Sequence, residues 1–287
     1  MPSQDIRCVL VKIHGIGNQK RTWSSRFDAM LQKRLETLSQ AQRSRFASES
    51  VWWADVSKVP GLGAPAAVPA PAVAGSLSTG AKVTYTLVQN EYMSYLEGAG
   101  ATTPGAPAGL GLPNPLRVIA KLKDVTVRAV DGANDVANYV SNNGVRVQMQ
   151  HRLSDKLFQV QAAHPKAKVI LGTHSQGTII AYDVLRLNGA QIANLATWVT
   201  MGSPLGWYLR FLRWGDEILG MQPSLTWLNF YDDEDKVGQG ITDLVAWPSP
   251  KPRDIDVDNR AKGLDAHDHW HNSDVVARYF QLIRQHL

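Results

Sequence analysis

The clearest chemical signal in the sequence is Ser175, the central residue of the segment Thr-His-Ser-Gln-Gly at 173–177. The apolar run at 168–171 predicts a buried strand, and the pattern at 177–187 predicts a helix that begins after only a tight turn. A sharp strand-to-helix turn can hold a serine in a strained backbone conformation with its Oγ exposed above the sheet. The spacing therefore indicates that Ser175 is a nucleophile, and the alternative is a structural serine in an ordinary turn.

The segment at 173–177 resembles the nucleophile elbow of the α/β-hydrolase superfamily, in particular the lipase and serine esterase branch, whose elbow reads Gly-His-Ser-x-Gly. The sequence departs from that pattern at Thr173, where the family usually has glycine. The resemblance implies a mainly parallel sheet with helices on both faces, and catalytic residues in the order serine, acid, histidine. It also implies that the backbone N–H of Gln176 is one donor of an oxyanion hole.

A second motif, His-Gly-Ile-Gly at 14–17, follows the predicted strand Cys8–Ile13. It resembles the family's oxyanion loop, in which the residue after the His-Gly pair donates a backbone N–H. By that resemblance the second oxyanion donor is Ile16, and His14 braces the loop. A generic glycine turn after a first strand is the alternative.

The acid is expected in the loop after the predicted strand Thr226–Tyr231. This loop resembles the family's Asp-x-x-Asp-x-Val pattern, in which the second carboxylate orients the histidine, and it selects Asp235 with Asp232 as the runner-up. A carboxylate at this place stabilises the imidazolium that forms when the serine loses its proton. The alternative interpretations are a solvated acidic loop and a calcium site.

The base is expected just before the last helix, predicted at 273–287, and the resemblance selects His267, three residues before Trp270. His269 is the alternative. A competing hypothesis places His267, His269 and His271 on one face of an extended strand, where three imidazoles could bind a metal. We expect no metal and no organic cofactor, because the serine mechanism needs neither.

A second serine, Ser203, also follows a predicted strand, but Pro204 has no N–H to serve as an oxyanion donor, so Ser203 is excluded as the nucleophile. The segment at 207–214 reads either as a helix that meets lipid or as an ordinary helix covering the sheet. The residues expected to line the substrate site are His14, His174, Leu205 and Trp207.

The whole chain is expected to form a single α/β-hydrolase domain over residues 1–287, with a trimmed sheet of about five strands. The predicted strands are Cys8–Ile13, 50–53, 168–171, 197–201 and Thr226–Tyr231, and the predicted helices lie at 26–39, 136–163 (one or two), 177–187 and 273–287. Residues 59–115 read as a Pro-, Gly- and Ala-rich insertion with a helix at 83–96, either a moving lid or a surface excursion.

Composition excludes several other classes. Among 287 residues Cys8 is the single cysteine, which excludes a disulfide framework and multi-cysteine metal centres. The net charge of +5 is spread over scattered Lys and Arg, which is typical of a solvated surface, so we expect no nucleic-acid partner. Neither a signal peptide nor a transmembrane run is recognisable, so we expect a cytoplasmic protein.

These expectations combine into a serine esterase or lipase that forms an acyl-enzyme on Ser175. The expected substrate is a small-molecule or lipid ester, with transient contact to a membrane or lipid surface. The alternatives are an acyltransferase of the same fold and a non-catalytic lipid-binding or scaffold protein. The sequence indicates no particular oligomeric state.

Overall fold

A computed structural model describes residues 5–15, 19–56, 126–211, 222–243, 246–263 and 265–287. The strands are β1 (Cys8–Ile13), β2 (Phe46–Val51), β3 (Lys168–His174), β4 (Leu195–Met201), β5 (Thr226–Tyr231) and β6 (Arg253–Asp256). The α-helices are α1 (Ser25–Leu35), α2 (Gln40–Arg43), α3 (Thr126–Ser141), α4 (Asn143–Ala163), α5 (Gln176–Asn188), α6 (Leu205–Phe211) and α7 (Ser273–Arg284). Short 3-10 turns lie at Gly189–Gln191 and His269–His271.

The six strands form one parallel sheet in the order β2-β1-β3-β4-β5-β6. The chain adds β2 on one side of β1 and then returns to add β3 on the other, so the strand order reverses between β1 and β3. In open parallel sheets, the crevice outside the carboxyl ends of the strands at such a reversal is the usual ligand site. The predicted α/β class with a mainly parallel sheet is confirmed. The sixth strand, β6, was not predicted.

Helices cover both faces of the sheet, as a parallel sheet with continuous apolar strands requires. On one face α1 and α7 pack together over the side chains of Cys8, Leu10 and Ile170. On the other face, α5 begins beside Ile13, and ten of its residues are buried. Both faces of β1 are therefore inside the protein.

The C-terminal helix α7 is capped by Asn272 and packs through buried apolar residues. The side chain of Asn272 accepts hydrogen bonds from the backbone N–H groups of Asp274 and Val275, which have no partner inside the helix. Tyr279 and Ile283, one turn apart, are fully buried against the sheet and α1. This cap fixes where the helix begins, immediately after the histidine-rich segment.

Several predicted elements differ in their bounds, and three of them are informative. The strand predicted at 50–53 lies instead at Phe46–Val51, because Trp53 turns away and donates from its indole to the carbonyl of His14. The helix predicted at 26–39 ends at Leu35, because Ser39 starts a new helix through a capping box with Gln42. The segment at 136–163 belongs to two helices, one of the two outcomes expected.

The chain divides into two compact units. The first holds the described residues up to 15, those from 19 to 53, and those from 149 onwards, and the second holds 54–56 and 126–148. The expected insertion at 59–115 and its helix at 83–96 lie outside the described residues, so the single-domain organisation stays a prediction. Within the described part of the chain, no helix has the length and apolar character needed to cross a membrane.

Candidate active site

Ser175 lies in the turn between β3 and α5 with φ 52° and ψ −128°, a backbone conformation that residues with a side chain rarely adopt. The N–H of Ser175 donates to the carbonyl of Met201 at 3.0 Å, and its carbonyl accepts from Thr178. A Cβ at Gly177 would lie 2.6 Å from the carbonyl oxygen of His14. The sharp turn expected around Ser175 is therefore present, and Gly177 is needed for its close approach to the chain after β1. The expected exposure of Oγ above the sheet is wrong, because Ser175 is fully buried.

Thr173, where glycine was expected by resemblance, has a specific role in the core. Its hydroxyl donates to the carbonyl of Val199 at 2.9 Å and accepts from the indole N–H of Trp198 at 3.0 Å. Thr173 and Trp198 are both fully buried, so the threonine satisfies an indole that would otherwise lack a partner. The departure from the family pattern is thus matched by a tryptophan on the neighbouring strand.

The chain after β1 contacts the serine through Gly15. A Cβ at this position would lie 2.5 Å from Cβ of Ser175 and 3.0 Å from Nδ1 of His174. Only a glycine allows the backbone to come this close. Ile16, the expected second oxyanion donor, lies outside the described residues.

His14 is held by its neighbours on every side. Its Nε2 accepts from the backbone N–H of Trp53 at 3.2 Å, its Nδ1 donates to the carbonyl of Gly15 at 2.7 Å, and its ring stacks on Trp53. Burial lowers the pKa of His14 to about 4. A neutral imidazole with both nitrogens engaged is suited to bracing the loop, which is the role expected for it.

The loop after β5 brings Asp235 to His267. Oδ2 of Asp235 lies 2.9 Å from Nδ1 of His267, and Oδ1 accepts from the N–H of Val237 at 2.8 Å. Asp235 is 2 % exposed. Burial by itself raises the pKa of this carboxyl, but the charges and hydrogen bonds of His267 and His269 outweigh burial, and the net pKa is well below the usual value.

The two histidines considered as the base differ in what their nitrogens contact. Nε2 of His269 lies 3.1 Å from Oδ2 of Asp235, and its Nδ1 lies 3.3 Å from Nδ2 of Asn259, so both nitrogens are engaged. By contrast, Nε2 of His267 is buried, and among the described residues it has no hydrogen-bond partner. Oγ of Ser175 is also buried and has no hydrogen-bond partner among the described residues. His267 is therefore the histidine with a nitrogen available for a reacting serine.

Asp232, the runner-up acid, accepts hydrogen bonds from backbone N–H groups of the loops. Its Oδ1 accepts from the N–H of Glu234 at 2.8 Å, and its Oδ2 accepts from the N–H of Asn259 at 2.7 Å. Oδ1 thus stabilises the turn after β5, and Oδ2 connects this turn to the segment after β6. The carboxylate that contacts the histidines is Asp235.

His174, beside the serine, connects the elbow to the histidine loop. Its Nε2 donates to the carbonyl oxygen of His267 at 2.7 Å, and the two rings lie 4.5 Å apart between centroids. Burial, followed by the nearby charges of His267 and His269, holds the pKa of His174 well below its usual value. The ring is therefore a neutral donor that fixes the backbone of His267.

The strand of three metal-binding histidines is not formed. His269–His271 is a 3-10 turn, and His271 pairs with Asp268 at 2.6 Å, away from the other two. Nitrogen and oxygen atoms of Asp235, His267 and His269 do lie within 4.8 Å of one another, a donor set that zinc accepts. The hydrogen bonds described above account for the arrangement of these three side chains without an ion.

The other site candidates lie around the start of α6. Oγ of Ser203 is 2.9 Å from the hydroxyl of Thr178 and accepts from the N–H of Leu205, the first residue of this helix, at 3.3 Å. Leu205 and Trp207 are both buried. Their role in lining a substrate site, like that of His14 and His174, stays a prediction. The segment predicted at 207–214 is helical up to Phe211, and its last three residues lie outside the described residues.

Together these residues come from loops at the carboxyl edge of the sheet. The chain after β1 and the elbow after β3 meet at the reversal of strand order, and register pairs Ile13 with Thr173 at that edge. A buried hydroxyl at the start of a helix, together with an imidazole that has an unpartnered nitrogen and a buried carboxylate paired with that imidazole, is a set of groups that can perform nucleophilic acyl transfer.

No family model matches the sequence, and no curated protein matches it. A comparison with solved structures does find similar chains. One comes from work on LipS and LipT, two metagenome-derived lipolytic enzymes that increase the diversity of known lipase and esterase families. It is 10 % identical, covers 99 % of this chain and 96 % of that chain, and has a TM-score of 0.38. The chemistry must therefore be inferred from the site residues themselves.

Proposed function

We propose that this protein is a serine hydrolase that cleaves carboxylic esters through an acyl-enzyme on Ser175. One observation carries the proposal. The strained turn after β3 presents a serine whose Oγ lacks a partner among the described residues, and His267 has an unpartnered Nε2 while its Nδ1 pairs with the buried carboxylate of Asp235. Unpartnered polar atoms are rare in protein interiors and are often functional. Here the two unpartnered atoms are those that exchange a proton in the serine mechanism.

In the first step, Nε2 of His267 takes the proton from Oγ of Ser175 while Oγ attacks the ester carbonyl. Asp235 stabilises the imidazolium that results, because its carboxylate is ionised and its Oδ2 already contacts Nδ1 of His267. The alcohol leaves with the proton from His267. The product of this step is an ester between the acyl group and Ser175.

In the second step, His267 activates a water molecule that attacks the acyl-enzyme and releases the acid. The negative oxygen formed in each step is stabilised by the backbone N–H of Gln176, at the positive end of α5. The N–H of Ile16 is proposed as the second donor on the basis of its motif alone. The mechanism requires neither a metal nor an organic cofactor.

The test is hydrolysis of p-nitrophenyl esters from acetyl to palmitoyl by the wild type and by Ser175→Ala. Ser203→Ala is the matched control, because Ser203 is also a buried serine that follows a strand. Ser175→Ala is expected to lose about 10⁴-fold or more in kcat, whereas the control keeps its activity. Equal activity of Ser175→Ala and the wild type would disprove the proposal.

Labelling with a fluorophosphonate separates the remaining possibilities. Ser175 is fully buried in this structure, so a small probe such as diisopropyl fluorophosphate should be used beside larger ones. Labelling that disappears in Ser175→Ala supports the nucleophile independently of any chosen ester. Faster ester turnover when an alcohol is added, with ester as the product, would indicate acyl transfer. Ligand binding without labelling or turnover would indicate a non-catalytic protein.

A further inference from the structure

We propose that His269 is a second histidine that donates a hydrogen bond to Asp235 and so positions this carboxylate for its work on His267. The inference rests on the proposed function, because it assigns a role within the same site. Its basis is one carboxylate oxygen shared by two imidazoles: Oδ2 of Asp235 lies 2.9 Å from His267 and 3.1 Å from His269. In the Ser-His-Asp arrangement a single histidine contacts the acid, so the second contact needs an explanation.

Which nitrogen of His269 donates and which accepts follows from its other neighbour. The amide Nδ2 of Asn259 is a donor, so the ring atom that faces it, Nδ1 of His269, must accept. A neutral imidazole that accepts at Nδ1 carries its proton at Nε2, which faces Asp235. His269 therefore donates to the carboxylate, as His267 does.

A chain of hydrogen bonds fixes the orientation of Asn259. Its Oδ1 accepts from Nδ2 of Asn272 at 2.6 Å, and its Nδ2 also donates to the carbonyl of Ala266. These two contacts determine which end of the amide faces His269. Asn272 is in turn held by its oxygen on the first N–H groups of α7. The tautomer of His269 is thus set by a network that begins at the cap of the C-terminal helix.

The structural consequence is a carboxylate held at three points. Oδ1 of Asp235 accepts from Val237, while Oδ2 accepts from both histidines, so rotation of the carboxylate would break at least one contact. Asp235 is 2 % exposed, and water is therefore a poor substitute for a lost donor. Within the described residues, the ionisable groups that shift the pKa of Asp235 are His267 and His269, and His174 contacts the backbone of His267.

His269 is not a second base, because both of its nitrogens are used and the ring is completely buried. It is also more than a packed core residue, since a packed residue would need no ordered donor toward the acid. These two alternatives predict different behaviour for substitutions that keep or remove the Nε2–H donor.

The test compares His269→Gln with His269→Leu. The side-chain amide of glutamine places a donor near the position of Nε2, whereas leucine has similar bulk and no donor. His269→Gln is expected to keep kcat within about 3-fold, and His269→Leu to lower kcat roughly 10- to 100-fold with KM nearly unchanged, since a lost hydrogen bond to a charged group has effects of this size. His271→Gln is the matched control, because that histidine lies on the same turn and pairs outside the cluster.

A second readout does not depend on ester turnover. The measurement is the NMR chemical shift of the proton between Nδ1 of His267 and Oδ2 of Asp235, which would be assigned by its loss in His267→Gln. This shift depends on the position of the Asp235 carboxylate. We expect its chemical shift to move in His269→Leu and to return in His269→Gln. If His269→Leu does not fold, His269→Asn, whose shorter amide does not reach the carboxylate, takes its place beside His269→Gln.

The outcomes separate the two proposals. If the NMR signal responds as expected but no ester is cleaved, the positioning role holds and the esterase proposal fails. If the signal and kcat are both unchanged in His269→Leu, the positioning role is refuted. If the purified protein contains zinc that is lost in His269→Leu, and a chelator changes the NMR signal, the cluster is a metal site and the proposal is also refuted.

Discussion

Substitution of Gly15 by alanine tests the close contact between the chain after β1 and Ser175. The new Cβ would lie 2.5 Å from Cβ of Ser175, whereas carbon atoms in contact are normally about 3.5–4.0 Å apart. One of the two segments must therefore move by about 1 Å. Ser175 is tied to Met201 through its N–H and is already in a strained conformation, so the elbow has little freedom to adjust.

The size of the effect follows from that displacement. A misplacement of about 1 Å in an active site costs on the order of 10²-fold in rate. We expect Gly15→Ala to lower both kcat/KM for p-nitrophenyl esters and the rate of fluorophosphonate labelling by about this factor. Overpacking in a buried site also costs about 1–3 kcal/mol in the free energy of unfolding.

The control for this experiment is Gly189→Ala. No atom lies within 4 Å of a Cβ at Gly189, and its φ of −58° suits any residue. This variant is expected to keep full activity and to gain about 0.4–1 kcal/mol of stability, because alanine restricts the unfolded chain. Wild-type labelling rates and an unchanged melting temperature in Gly15→Ala would show that the described contact is wrong.

Three other predictions concern buried groups away from the reaction itself. Burial lowers the pKa of His14 to about 4 and lowers that of His174 as well, so both rings are neutral in the folded protein above these values. The free energy of unfolding should therefore fall as pH decreases below about 6.5, by up to about 1.4 kcal/mol per pH unit for each group. A free energy of unfolding in urea that does not change with pH would contradict neutral histidines. Cys8 is completely buried and its pKa is raised to about 12, so Ellman's reagent at pH 8 should label one thiol only after unfolding, and fast labelling of the folded protein would contradict this burial. Thr173→Val should cost about 1–3 kcal/mol by leaving the indole of Trp198 without an acceptor, and equal stability in thermal unfolding would argue against that hydrogen bond.

Much of the sheet was predictable because the strands are short apolar runs with strong local signals. Cys8–Ile13 and Thr226–Tyr231 have the bounds expected from sequence, since every residue of β1 is buried and all but the ends of β5 are. Strand β6, with sequence Arg-Asp-Ile-Asp, has no such signal. It is an edge strand, and its place depends on Asp254, which accepts from Asn229 on β5 and from the backbone at Ile241.

The site residues were predictable to the extent that they lie in short motifs. The sequence alone placed Ser175, Asp235 and His267 as candidates, and the structure brings Asp235 and His267 into contact. The sequence could not show that His269 contacts the same carboxylate oxygen of Asp235, because the orientation of His269 depends on how Asn259, ten residues earlier, is held. The catalytic roles of Ser175, Asp235 and His267 stay predictions that the substitutions above test.

The positions of Ser175 and His267 along the chain have a consequence for folding during synthesis. The proposed serine emerges from the ribosome long before its histidine, and the segment bearing His267 is fixed by a cap at the start of α7 and by packing of that helix on α1. These contacts join distant parts of the sequence, so they form late in folding. A nascent chain that has not yet released α7 can therefore hold Ser175 in its turn before the segment bearing His267 is fixed. Under the proposed function, hydrolysis would begin only after α7 has packed.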